Sequence, residues 1–180
     1  MNTKKRTIWI TKTAVFIALL IGIQAATAPF GQLITGSLVN LILVISAMTC
    51  GMASGCTVAV LSPAFAFLFA IGPNFLPIVP FIMAGNIAMV LAWSLLGKRA
   101  FANKHIVHGA TAIAAAVCKF SVLYFGIVRI AIPYIFNMPE QQASIMSGLF
   151  SLPQLFTALA GGAVAAIILP VIDKALSLST

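Results

Sequence analysis

Two cations stand where lipid would be expected. Lys119 and Arg129 both lie within one apolar stretch of residues 108–132. A cation at the centre of a membrane helix costs about 2.5–3.5 kcal/mol on insertion scales. A buried acid would offset that cost, but the sequence holds two acids, Glu140 and Asp173, both in or beside predicted loops. The cations must instead meet backbone carbonyls, water, lipid phosphate or a bound anion. Their separation corresponds to ~1000° of α-helical rotation, so the two side chains project within roughly 80° of each other. Both can then face one cavity, and uncompensated positive charge in such a cavity favours an anionic guest, most simply a carboxylate. Arg129 has an alternative, because it lies close enough to a span end to snorkel to the headgroups. Lys119 is ~13 Å from the nearer end of its helix, beyond comfortable reach of a lysine stem. That leaves it facing the protein interior, on a guest or on the carbonyls of a broken neighbouring helix.

Neutral polar residues can complete such a pocket. Asn40, Asn86 and Gln154 fall on three other apolar stretches, Tyr124 lies between the two cations, and Gln32 and Asn74 sit in predicted loops at the pocket mouth. Taken singly, each is an ordinary interhelical hydrogen-bonding residue. As a set they supply donors and acceptors around a cation. Catalysis has no comparable constellation. His105 and His108 lie three apart without an acid nearby, which is poor metal-ligand chemistry, so neither an enzyme nor a metal site is expected. No Gly-x-x-x-x-Gly-Lys-Ser/Thr phosphate cradle occurs; the string from Ala92 to Arg99 lacks the first glycine and the final hydroxyl. No cofactor is expected, and any energy from ATP must come through a partner.

The elements that position these residues follow from composition. Of 180 residues, 62% are hydrophobic and 7% charged, against roughly a quarter charged in soluble domains. The net charge of +8 is carried in short runs between apolar stretches, which marks membrane topology rather than a nucleic-acid surface. Six spans are predicted, at about 9–28, 37–50, 56–71, 76–96, 108–132 and 149–169, forming a single all-α integral membrane domain over 1–180. Lys4, Lys5 and Arg6 precede the first span and Lys12 lies at its start, Lys98, Arg99 and Lys104 join the fourth to the fifth, and Lys174 follows the sixth. With both termini cytoplasmic, all of these fall on one side, as the positive-inside rule requires. The first span resembles a signal peptide in its basic start and its alanines near residue 26, but an uncleaved span is the simpler reading with no secreted domain behind it. Cys50, Cys56 and Cys118 have neither metal-ligand nor paired spacing and read as packing residues.

The first span also carries Ala14, Ala18 and Gly22 at four-residue intervals, a stripe that lets another helix approach closely. With the string Ala14-Val-Phe-Ile-Ala18, the predicted outer loop Pro29-Phe-Gly-Gln-Leu-Ile-Thr35, the size and the six spans, the whole chain resembles the substrate-binding S-components of energy-coupling factor (ECF) vitamin transporters. The resemblance implies a multi-pass subunit of the bacterial cell membrane that captures a vitamin or related micronutrient. It implies docking of Ala14, Ala18 and Gly22 on a transmembrane coupling subunit, itself driven by two cytoplasmic ATPases. It also implies a vitamin-sized, outward-opening site, covered by the first outer loop and lined from spans four to six. A self-contained anion permease or channel lined by Lys119 and Arg129 is the rival expectation.

Overall fold

The computed structural model describes residues 3–98 and 103–177. Arg99, one of the cations used for orientation, lies outside the described residues. Every regular element among the described residues is helical, as expected where lipid offers backbone groups no partners. Helix α1 spans Thr3–Thr27 and ends in a 3-10 turn at Ala28–Phe30. Helices α2 (Gln32–Cys50) and α3 (Met52–Leu68) are separated only by Gly51, whose φ of 92° suits a residue without a side chain. A 3-10 turn at Leu76–Ile78 leads into α4 (Val79–Leu96).

Helix α5 (Lys104–Leu123) starts from Asn103, whose side chain accepts the His105 backbone N–H at 3.1 Å. It continues through a π-helical stretch, Tyr124–Ala131, into the short α6 (Ile132–Tyr134). Helices α7 (Glu140–Leu149) and α8 (Leu152–Ser177) complete the order. The segments Thr3–Phe30, Gln32–Cys50, Leu76–Leu96, Lys104–Tyr134 and Glu140–Ala175 are long and apolar enough to cross a bilayer. Helix α3, at 17 residues, is shorter. Its ~26 Å falls below the ~30 Å hydrocarbon core. Large apolar side chains such as Leu19, Leu68, Phe125 and Ile167 face outward around the bundle, a surface suited to lipid.

Helices α2, α8, α5, α4 and α3 pack in that order into a closed ring, with α2 also touching α4, and α1 lies against α2 and α3. Small residues let the ring close tightly. A Cβ on Gly161 of α8 would collide with the Ser37 carbonyl oxygen and come within 2.8 Å of the Asn40 Cβ, so glycine there brings α8 against α2 beside Asn40. Lys104 and Asp173 pair at 3.2 Å at one end of the bundle, joining the start of α5 to the last turns of α8.

Three boundaries differ from expectation. The predicted first loop contracts to the turn ending at Gly31 (φ 84°), because every residue from Gln32 onward joins α2. The loop predicted at residues 133–148 contains α7, whose first turn carries Glu140, a favourable place for an acid. The last helix does not stop at Pro170. Proline frees the carbonyl four residues back, and a membrane helix tolerates this where a neighbour answers it. Here His108 of α5 lies against the Ala166 carbonyl.

Candidate functional site

Lys119 is 4% exposed, on the buried face of α5. Its Nζ donates to Asn40 Oδ1 at 2.6 Å and to Asn86 Oδ1 at 2.7 Å. An ammonium has no lone pair, so both amide oxygens must face it and both amide NH2 groups must face away. Each NH2 finds an acceptor at longer range. Asn40 Nδ2 donates to Thr157 Oγ1 at 3.4 Å, and Thr157 donates in turn to the Gln154 carbonyl at 3.1 Å.

Asn86 Nδ2 donates to the Ala59 carbonyl at 3.5 Å. That carbonyl is available for a local reason. Pro63 lies inside α3 four residues on and has no N–H to give it. A neighbouring broken helix therefore does help to cap the lysine, but through Asn86 rather than directly.

No carboxylate enters this arrangement. Asp173 is paired with Lys104, Glu140 opens α7, and neither lines the cavity that Lys119 borders. The ammonium is opposed by two amide dipoles, which use two of its three N–H groups. In low dielectric, an ion so placed attracts opposite charge far more strongly than it would in water.

The cavity beside Lys119 has a volume of about 370 Å³ and is walled by α1, α2, α3, α4, α5, α8 and their connecting turns. Most of its wall is apolar, with Val39, Ala66, Phe67, Val79, Ile82 and Phe150 among the lining. Its mouth is pinned by two glutamines. Gln32 Nε2 and Gln154 Nε2 donate to the same Leu149 carbonyl, at 2.9 and 3.2 Å, tying the start of α2 to the α7–α8 turn. Thr35 Oγ1 donates to the Thr27 carbonyl at 2.8 Å and ties α2 back to the end of α1.

Five residues singled out from the sequence thus meet at one cavity: Lys119, Asn40, Asn86, Gln32 and Gln154. Two do not. Arg129 is exposed and Tyr124 is half-buried against Phe120 and Phe125, with ring centroids at 5.4 and 5.6 Å; neither lines the cavity. The expectation that the two cations share a chamber is therefore corrected. The buried face of α5 runs Lys119, Leu123, Ile127, Ala131, at steps of four carried on through the π-helical stretch. Arg129 is two residues from both Ile127 and Ala131, on the opposite side. Rotation counted as pure α-helix does not survive a change of winding. Asn74 is exposed and also lies outside the lining.

Two polar lining residues were not anticipated. Gln24 near the end of α1 and Ser62 in α3 are 8% and 1% exposed, and both border the cavity. A glutamine inside a predicted span was the available signal, since polar groups there are rarely idle. Among the described residues no three His, Cys, Asp or Glu side chains cluster as a metal site would require. Chemically, the arrangement presents a desolvated amino group, held by two amides, at the wall of a largely apolar cavity. No family model, curated protein or solved structure matches the chain.

Proposed function

We propose that this chain is the substrate-capturing membrane subunit of an ECF-type importer for a small anionic micronutrient of vitamin size. The observation that carries the reading is the buried Lys119, held by Asn40 and Asn86 on the wall of a 370 Å³ cavity with no acid to neutralise it. Positive-inside orientation would put both termini in the cytoplasm of a bacterial cell and the cavity mouth outside. Ala14, Ala18 and Gly22 are exposed on α1, and a Cβ on Gly22 would meet nothing within 4 Å, which suits a face that a coupling subunit covers. ATP would be used by that partner's two ATPases, with no cofactor in this chain.

The test uses purified full chain in nanodiscs and in sealed vesicles. Tight binding of a small carboxylate without flux is the expected result. Unassisted flux would instead make the chain a permease. Replacing Ala14 and Gly22 by Leu should leave binding within about twofold while abolishing uptake by an assembled importer, because those positions face away from the cavity. Undiminished uptake would remove α1 as the docking face.

A further inference from the structure

We infer that the guest is a small monocarboxylate that also carries an N–H or O–H donor, the carboxylate on Lys119 and the donor on Gln24 and Ser62. The inference rests on the proposed ligand-binding role of the cavity and adds the guest's charge and its second functional group. Gln24 Oε1 and Ser62 Oγ are buried and have no hydrogen-bond partner among the described residues. Buried polar atoms in folded proteins are satisfied in roughly nine cases of ten, so two orphans bordering one cavity call for a partner from within it. Ser62 departs from the habit of this chain. Thr13, Thr27, Ser37, Thr49 and Thr57 each donate to the carbonyl four residues back, at 2.6–2.9 Å. Ser62 makes no such bond.

The orphaned amide oxygen of Gln24 can only accept, so the group that meets it must donate; the serine hydroxyl can serve either way. The two come from α1 and α3, which pack together, whereas Lys119 comes from α5 with α4 between it and α3 in the ring. The guest therefore meets its cation and its acceptor from different walls of a cavity whose lining also includes the apolar Val39, Ala66 and Ile82.

Charge narrows the class further. Lys119 is the one charged residue in the lining, so a dianion such as a phosphate monoester or a dicarboxylate would leave charge unmatched in low dielectric. The volume lies at the low end of the range for ligand sites, which favours a small guest.

The experiment uses purified full chain in nanodiscs and a panel of C4–C9 monocarboxylates in matched pairs, with and without a hydroxyl or amino donor. Benzoate against 4-aminobenzoate and 4-hydroxybenzoate is one such set, with terephthalate as the dianion. The donor-bearing member should bind about ten- to a hundredfold more tightly, and Gln24→Met or Ser62→Ala should erase that preference.

Thermal unfolding without guest supplies a second readout. Removing an unsatisfied buried polar atom does not lower stability, so both variants should melt at or above the parent temperature. Pairs that bind equally, preferred binding of terephthalate, or a lowered melting temperature in both variants would overturn the inference while Lys119→Ala still abolished binding. Failure of every carboxylate to bind, or binding indifferent to Lys119→Ala, would instead overturn the ligand-site reading itself.

Discussion

The bundle breaks a helix with proline twice, and the two breaks are put to different ends. In α3, Pro63 frees the Ala59 carbonyl, which receives Asn86 Nδ2; the same amide turns its oxygen to Lys119 beside a cavity. In α8, Pro170 frees the Ala166 carbonyl, which faces His108. There the imidazole lies 5.9 Å from the Trp93 ring, within a core of Ala112, Ala115, Ala165 and Leu169. Both places even hold orphaned polar atoms, since Trp93 Nε1 and His108 Nδ1 have no partner among the described residues. A freed carbonyl with an orphan nearby is therefore not enough to make a binding site. The difference is that the Pro63 break adjoins an open volume and an ammonium, whereas His108 and Trp93 are absent from the lining of that cavity.

The largest expected effect breaks the comparison outright. Lys119→Met removes the charge while keeping the stem, and carboxylate affinity in nanodiscs should fall by more than about a hundredfold. Truncating one member of a desolvated, hydrogen-bonded charge pair costs 2–5 kcal/mol. Its melting temperature does not decide the matter, because relief of a buried cation opposes the loss of the only donor, among the described residues, to the Asn40 and Asn86 amide oxygens. Retained affinity would reduce the Pro63 region to the same structural standing as the Pro170 region.

The next effect sharpens the comparison by treating the two prolines identically. Pro63→Ala restores an N–H that competes with Asn86 for the Ala59 carbonyl. Asn86 then loses its anchor, and affinity should fall about tenfold, near the ~1 kcal/mol net value of one hydrogen bond. Pro170→Ala should leave affinity within about twofold. Isothermal titration of the two variants beside the parent decides it, and equal losses would mean that the bundle responds as a whole rather than at the break.

The contrast also shows which features a sequence can carry. Lys119 was legible because two acids in the entire chain cannot neutralise a mid-span lysine, whatever the fold. Asn40 and Asn86 were legible as amides in apolar stretches. Arg129 misled because its direction depends on winding, and the helix is π-wound over Tyr124–Ala131. Gln24 was passed over because polar residues close to a span end read as interfacial, and Ser62 because a helical serine usually satisfies itself on the preceding turn. The link from Pro63 through Ala59 to Asn86 needs two helices in register, and no pattern along one of them records it.

The smallest expected effect concerns the other break. If the Pro170 region is purely structural, His108→Ala should leave carboxylate affinity within about twofold while lowering stability by about 1–3 kcal/mol. It removes the imidazole that faces the freed Ala166 carbonyl and packs on Trp93, so an acceptor loses its partner and a void opens in the core. Restoring the N–H with Pro170→Ala in the same chain should recover part of that loss, because the Ala166 carbonyl would again be answered from within α8. Such rescue would separate loss of the carbonyl's partner from loss of packing, which the proline substitution cannot repair. Melting temperatures of the single and double variants measure the coupling. Strict additivity would show that His108 stabilises the bundle through its other contacts, the Trp93 ring and the Gly97 backbone, and the parallel between the two proline breaks would then end at the backbone.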